Sequence, residues 1–577
     1  MRRIVRRPAT DLPAELTRRL PEVLQRVYAR RPIQSANELE LGLDQLLPPD
    51  DLAGTARAAE VLAGAMRQQA RICVVGDFDA DGATSCALAL RGLRAMGAKR
   101  VGYLVPNRFE YGYGLTPELV ELAVREQAPD LIITVDNGIS SLEGVAAARA
   151  RGIPVVITDH HLPPEKLPDA EAIVNPNLPE QAFGSRNLAG VGVMFYVLAA
   201  LRSHLRRAGW FEAEKLSVPR LDRLLDLVAL GTVADVVPLD HNNRILVSQG
   251  LGRIRAGVGC AGIRALLEVA GREPDLLVAS DLGFAVGPRL NAAGRLTDMA
   301  LGVECLLTDD PQRARALAAR LDGLNRERRD IEARMTGEAL ELLGDLGDPV
   351  SGQARPMGLC LSDEAWHQGV IGILASRLKE RYQCPVVAFA PTGDGMLKGS
   401  GRSIPGLHLR DLLEAINRQY PGLIPRFGGH AMAAGLSLKA SDFPLFQQAF
   451  EATLEEELEG GLPDGEIATD GELAGAELGL AAARQLRKAG PWGQGFPEPV
   501  FDGRFEVLGT RIVGERHVRI NLAHPEGRAP LEAIAFNGVD RGWDGLDGAC
   551  PRLAYRLDVN RWRGRERPQL VVEHVED

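Results

Sequence analysis

The sequence predicts an α/β chain: a domain on a mostly parallel sheet, a long helix joining it to a smaller α/β domain, and a C-terminal all-β unit. Three observations lead there. Short continuous apolar runs near Ile72–Gly76, Val101–Val105, Leu131–Val135 and Pro154–Thr158 alternate with helical stretches, as buried strands of a parallel sheet do. The stretch from Pro311 to Leu343 lacks an internal proline and carries Leu317, Leu321, Leu324, Ile331, Met335 and Leu340 at roughly helical spacing. After the turn at Gly490–Pro497, apolar alternation between Gly, Asp and Asn turns points to a small β-barrel.

Length and composition agree with that division. A chain of 577 residues is too long for one core, and 45% hydrophobic with 25% charged residues is the balance of a soluble globular protein. Residues 1 to about 60 hold Arg-Arg pairs, Pro32 and the Pro48-Pro49-Asp50-Asp51 breaker, and read as short helices and turns packed on a larger body. The basic N-terminus is followed by no apolar run, so no secretory signal or membrane span is expected and the protein reads as cytoplasmic. Seven cysteines without any CxxC spacing argue against zinc-finger and disulfide frameworks. The net charge of −10 averages a basic N-terminus with acidic stretches, so local patches decide whether nucleic acid binds.

The strand ends carry the chemistry. Val74-Val75-Gly76 runs into Asp77, Asp79 and Asp81, which share one face if strand geometry persists through them. The third strand ends in Asp136-Asn137-Gly138, the fourth in Asp159-His160-His161, and an apolar helix further on ends in Asp235. Successive strands of a parallel sheet end on one edge, so Asp79, Asp81, Asp136 and His160 can converge despite their separation in sequence. Carboxylates packed together repel unless cations sit between them, and carboxylates with an imidazole suit Mn²⁺ or Mg²⁺ better than a thiolate-rich zinc site. The plainer readings are an acidic surface turn for the first motif and helix capping for a single strand-end Asp.

The set GDFDADG, VDNG, TDHH and GTVADVVPL resembles the four motifs of the DHH phosphoesterase family, in the order and spacing of its RecJ branch of single-strand-specific exonucleases. GPRLNAAGR at 287–295, WHQGVIG at 366–372, GSGRS at 399–403 and GGH at 428–430 extend the resemblance over nearly the whole chain, the last three being similar to landmarks of a DHHA1 domain. The resemblance implies a DHH domain over 61–310, a connecting helix over 311–345, a DHHA1 domain over 346–465 and a DNA-binding OB-fold over 466–577, preceded by the segment 1–60. It implies Asp79, Asp81, Asp136, His160 and Asp235 as ligands of two Mn²⁺ or Mg²⁺ ions, with Asp136 bridging. Asp77 adds a ligand or supports one, and Asp159 orients a neighbour or holds an imidazole. His161 either touches the scissile phosphate or packs and hydrogen-bonds. The turn at Trp492 and Phe496 departs from the family, whose members usually carry Phe and Asn there.

Phosphate binding falls to other groups. Gly428 and Gly429 let main-chain N–H groups approach a phosphate, His430 and Ser400 add side-chain donors, and Arg289, Arg295 and Arg402 offer forked ones. In the C-terminal barrel Arg561, Arg563, Arg565 and Arg567 alternate along an expected strand and would line one face of a DNA groove. Deletion from about Gly490 is expected to leave the catalytic lobes whole. The reading is a metal-dependent 5′-to-3′ exonuclease on single-stranded DNA in repair and recombination, with a single-strand-binding protein or a helicase as possible protein partners and no membrane. Two alternatives are a phosphodiesterase for short oligonucleotides or cyclic dinucleotides, which would lack the barrel, and a non-catalytic DNA-binding replication scaffold, which would have lost ligands.

Overall fold

In the computed structural model, which describes residues 2–108, 110–179, 181–344, 356–458, 461–463, 465–526 and 530–576, the four apolar runs form strands of one parallel sheet. Its order is Val101–Leu104, Ile72–Gly76, Leu131–Val135, Val155–Thr158 and Ala172–Val174. The Ile72–Gly76 and Leu131–Val135 strands are buried along their whole length, which is why each reads as unbroken apolar sequence. The strand order reverses beside Ile72–Gly76, so its end and that of Leu131–Val135 flank the crevice where open sheets place ligands. The fifth strand, three residues long, is too short to have shown as an apolar run.

The helix Pro311–Leu343 belongs to two cores. Its first half sends Ala314, Leu317, Ala318 and Leu321 into the core of the parallel-sheet domain, and its second half sends Met335, Ala339 and Leu343 against Leu359, Trp366 and Leu374 of the next domain. Within it, Glu332 accepts from Arg328 at 3.0 Å and from Arg377 at 2.8 Å, which ties the helix to Ile371–Tyr382. The expected junction at 345–346 lies outside the described residues. The second domain is a mixed five-stranded sheet in the order Arg426–Gly429, Ala433–Lys439, Met396–Arg402, Val386–Pro391 and Leu359–Ser362.

The C-terminal unit is a six-stranded sheet in the order Phe501–Arg504, Arg552–Trp562, Arg565–Glu576, Leu531–Ala535, His517–Ala523 and Glu506–Val513. It corrects two expectations. Arg563 (φ 51°) and Gly564 (φ 76°) are both left-handed and form a two-residue hairpin turn, so the arginine run bends back on itself instead of following one strand. Arg561 faces Glu566 across the ladder and pairs with Glu273 at 2.8 Å, while Arg565 and Arg567 share the opposite face. Nor is the barrel detachable: Phe501, Tyr555 and Leu570 belong to the same continuous core as Leu62, Val74 and Leu230.

The N-terminal segment is also more than helices and turns. Arg3–Arg6 forms a strand parallel to Glu466–Thr469, and the fully buried Arg31 donates to both Asp470 oxygens, at 2.7 and 3.0 Å. Trp492 and Phe496 stack at 5.2 Å beside Tyr28, so the departure in that turn fills a packed aromatic cluster. Asp502 accepts from Arg6 at 2.8 Å, Arg552 at 2.8 Å and Thr469 at 2.7 Å, stapling both chain ends. Burial alone would raise its pKa, but these partners outweigh burial and hold it down at about 2. The folded value lies below the unfolded one, so this stabilisation is complete above about pH 4 and is lost as pH falls through about 2. Asp502→Asn should therefore melt below wild type at neutral pH, with a gap that narrows on acidification; a gap constant down to pH 2 would show that Asp502 is not what titrates. No helix among the described residues is long and apolar enough to cross a membrane.

Candidate active site

The Ile72–Gly76 strand ends one residue before the first aspartate, and strand alternation does not continue through the motif. Asp79 caps the helix Ala80–Ala95, its Oδ1 accepting from the N–H groups of Asp81 at 2.9 Å and Gly82 at 3.0 Å. Asp81 lies in the first helical turn, where its carboxylate accepts from Gly190 N at 2.6 Å and Val191 N at 3.0 Å, the opening of the helix Gly190–Arg207. The motif therefore divides between two directions. A Cβ on Gly82 would fall 2.3 Å from the Asp77 carbonyl oxygen, so glycine is required by close approach inside a helix and not by a turn.

Ligand atoms converge in two trios, each with its atoms within 4.8 Å of one another: Asp77, Asp79 and Asp136, and Asp81, His160 and Asp235. Asp136 joins them, its Oδ1 lying 3.1 Å from His160 Nε2, which is 3.4 Å from Asp235 Oδ2. Asp136 Oδ1, Asp77 Oδ1 and His160 Nε2 are buried without a hydrogen-bond partner among the described residues. Orphaned acceptors of this kind are costly in a protein interior unless a bound cation fills their valence. Burial, then Asp79, pushes Asp81 up to about 7; burial, then neighbouring carboxylates, carries Asp77, Asp136 and Asp235 well above the ordinary range. Burial lowers His160 to about 4, which keeps its Nε2 lone pair free. Hard divalent cations fit this donor set.

Asp159 is fully committed to its neighbours. Its Oδ1 accepts from His161 Nδ1 at 2.7 Å and from the N–H groups of His160 and His161, and its Oδ2 accepts from Ile139 N at 2.9 Å. Burial works against a charge on His161, but the Asp159 hydrogen bond and surrounding carboxylates raise it to about 9. His161 also lies with Asp136 and His160 in a third ligand group, and its side chain is about one-third exposed, 35%, at the site.

In the second domain Ser400 and Arg402 sit two apart on one strand, and Ser400 lies across Gly435 from Gly428. Gly429, at φ 139°, has no room for a Cβ, which would fall 2.4 Å from the Ala433 carbonyl; at Gly428 the space is open. Burial, then the neighbouring His161, lowers the pKa of His430, and His430 adds to the burial that lowers His160, which puts this hairpin near the carboxylate cluster. Arg402 donates to Ser400 Oγ at 3.1 Å and makes no ion pair among the described residues; burial lowers its pKa. Arg295, lowered by burial to about 10, donates to Gly369 O at 3.2 Å and joins the two domains. Arg289 is different: it pairs with Asp322 of the long helix at 2.9 Å and donates to Ala285 O, so its guanidinium is occupied in holding two helices together.

The DHH family N-terminal domain matches residues 71–232, the DHHA1 domain 356–456 and the RecJ OB domain 469–574. The single-stranded-DNA-specific exonuclease RecJ of Salmonella typhimurium is 55% identical over 574 residues, 99% of each chain. The chain belongs to the RecJ family. A Thermus thermophilus RecJ structure in complex with Mn²⁺ superposes with a TM-score of 0.79 at 31% identity, covering 99% of this chain and 79% of that one. A Mg²⁺ complex from the same organism gives 0.73 at 29%, over 99% and 78%.

Several residues of this RecJ site gave no signal on their own. Arg108 lies 4.5 Å over the Phe78 ring, within the field of Asp77 and Asp79. The Tyr113 hydroxyl is 3.1 Å from His161 Nδ1 and donates to Asp136 O at 3.4 Å. Both come from the run of Asn, Arg, Tyr and Gly after the second strand in sequence, which marks a loop without naming its target. Asn291 Oδ1 accepts from Ala80 N at 2.7 Å, and Asn175 and Asn177 donate to the carbonyls of His161 and His160.

Proposed function

We propose that the chain is a metal-dependent exonuclease that removes nucleotides from the 5′ end of single-stranded DNA, in repair and recombination, with Asp77, Asp79, Asp81, Asp136, His160 and Asp235 holding two Mn²⁺ or Mg²⁺ ions. The observation that carries it is the meeting of three buried ligand atoms without a hydrogen-bond partner among the described residues, Asp77 Oδ1, Asp136 Oδ1 and His160 Nε2, within one carboxylate cluster. Bound there, two divalent ions supply an activated water and neutralise charge developing on the phosphate oxygens. Asp136 belongs to one trio and contacts the other, the position of a shared ligand. Asp159 fixes Nδ1 of His161 as a donor and leaves Nε2 directed away from that carboxylate, where a charged imidazole can bind a phosphate oxygen. The relatives' name supplies the preference for single strands, and family resemblance supplies polarity. A single-strand-binding protein or a helicase, either of which presents unpaired DNA, is a fitting partner.

Digesting end-labelled single and double strands with Mn²⁺, Mg²⁺ or EDTA tests the reading: single strands should shorten only with a metal. Equal degradation in EDTA would overturn it.

The phosphate-binding set proposed is Arg295, Ser400, Arg402, Gly428, Gly429 and His430. Arg402 and Arg295 are half-buried guanidinium groups that make no ion pair among the described residues, an arrangement that an arriving phosphate completes. Arg402→Ala or His430→Ala should lower kcat/KM by roughly ten- to a hundredfold, the worth of one charge-assisted contact. Mn²⁺ affinity, read by calorimetry, should stay near wild type. A collapse of metal affinity in either variant would mean that this hairpin supports the cluster and does not hold the substrate.

A further inference from the structure

The His160–His161 dipeptide stands past the end of the Val155–Thr158 strand, where its backbone needs partners other than the sheet ladder. Beyond Thr158 the ladder gives one more bond, from Asp159 N to Val174 O at 3.1 Å. Side chains serve the four main-chain groups that follow. Asp159 Oδ1 accepts from His160 N at 2.7 Å and from His161 N at 3.1 Å. On the other side, Asn177 Nδ2 donates to His160 O at 2.6 Å and Asn175 Nδ2 donates to His161 O at 2.8 Å. Both donors and both acceptors of the dipeptide backbone are therefore engaged.

The two amides come from one turn, Asn175-Pro176-Asn177-Leu178, which follows the short Ala172–Val174 strand. Proline suits its second position, and Leu178 N donates to Asn175 O at 3.3 Å across it. Asn175 Oδ1 accepts from Asn177 N at 2.7 Å, the local bond that makes asparagine a turn former. That bond also orients the Asn175 amide: its oxygen takes the Asn177 N–H, and its nitrogen is left to donate to His161. Gln181 braces the turn from outside. Its Nε2 donates to Asn175 O at 3.0 Å, and its Oε1 accepts from Ala53 N at 3.1 Å, so the N-terminal segment supports the same turn.

The two imidazoles depend on this scaffold unequally. Asp159 grips the His161 ring directly, at Nδ1. His160 Nε2, 3.1 Å from Asp136 Oδ1, has no such anchor among the described residues, and its aim is set by the backbone. The peptide unit that joins the histidines is held at both ends, its N–H by Asp159 and its C=O by Asn177. Releasing the carbonyl lets that unit rotate and carries the His160 ring off its line. We propose that Asn177, held in place by Asn175, is a positioning residue that aims His160 at the divalent-ion site through the His160 carbonyl. The inference rests on the metal-dependent reading above.

Calorimetric titration of the full-length metal-free protein with Mn²⁺ tests this apart from activity. Asn177→Ala should weaken Mn²⁺ binding roughly ten- to a hundredfold, as loss of a group that orients a ligand commonly does. Cleavage of a long oligothymidylate should fall with it at low Mn²⁺ and return toward the wild-type kcat at saturating Mn²⁺, with KM for DNA unchanged there. Asn177→Gln, whose longer amide can still reach the carbonyl from this partly exposed position, should recover most of the lost affinity. Should Asn177→Ala not fold, Asn177→Asp, equal in size but without the donor, carries the same expectation. Wild-type Mn²⁺ affinity in either folded variant, or a loss that Asn177→Gln shares in full, would overturn the positioning role. So would a lower melting temperature of the metal-free variant with no rescue by Mn²⁺, the mark of a merely structural residue. A wild-type protein that bound no Mn²⁺ would instead overturn the metal-dependent reading itself.

Discussion

Asp136→Asn should abolish hydrolysis, by roughly 10³-fold or more, in a protein that folds as well as wild type. The magnitude follows from position. Asp136 stands between the two trios, so a weaker ligand there disturbs both ions and removes several kcal/mol of transition-state stabilisation. Asparagine is the right replacement because Asp136 is left-handed, at φ 61°, a conformation Asn adopts at lower cost than Ala. Without metal the variant should melt no lower than wild type, since it removes a buried carboxyl group crowded by Asp81 and Asp79. Wild type should gain melting temperature when Mn²⁺ is added, because an ion that binds only the folded state stabilises it, and the variant should lose most of that gain. Full activity of the variant in Mn²⁺ would sink the shared-ligand assignment.

What the sequence made legible was the placement of chemistry at strand ends. Three apolar strands and one apolar helix that end in Asp or His imply one shared site whatever the details of each turn, and Asp79, Asp81, Asp136, His160 and Asp235 do meet there. The local geometry was less legible. Alternation within Asp77, Asp79 and Asp81 looked like strand periodicity, but Asp79 is a cap and Asp81 a helical residue, because unpaired N–H groups at the start of Ala80–Ala95 draw the chain into a helix after Gly76. Periodicity misled again at Arg561 to Arg567, where Arg563-Gly564 is a turn that the surrounding arginines obscured.

Contacts between distant segments were not legible at all. Nothing in Arg289 alone distinguishes a guanidinium bound to Asp322 from one awaiting phosphate, and nothing in Arg31 announces Asp470. Distant contacts of this kind, through the shared core and between Arg6 and Asp502, change an experiment. Deletion from Gly490 would remove Phe501, Tyr555 and Leu570 from a core shared with the catalytic domain, and would leave Arg6 without Asp502. Loss of DNA binding in such a truncation would say nothing about the barrel surface. Arg565 and Arg567, exposed on one face of the final strand, are the substitutions that isolate it.

Gly190→Ala should lose activity about a hundredfold or more although Gly190 contributes no side chain to the site. A Cβ there would fall 2.5 Å from the Asp136 Cβ and 2.8 Å from its Cα, so the added methyl group meets backbone as well as side chain. Asp136 has little freedom to retreat, since its N–H donates to Thr158 O at 3.0 Å and its carbonyl accepts from Tyr113. The helix must move instead, and with it the Gly190 N–H that holds Asp81 at 2.6 Å. One methyl group thus displaces a member of each trio, and misplacement by about 1 Å is enough for a loss of roughly 10²-fold. Gly192→Ala is the matched control: two residues along the same helix, its Cβ would meet only the flexible Leu188 Cδ2, at 3.1 Å. Alanine favours helix over glycine at both positions, so neither variant should unfold. Activity and Mn²⁺-induced melting shifts measured side by side should then separate the two, with Gly190→Ala deficient in both and Gly192→Ala close to wild type. Equal behaviour of the pair would mean that close packing of this helix against Asp136 does not set the geometry of the cluster.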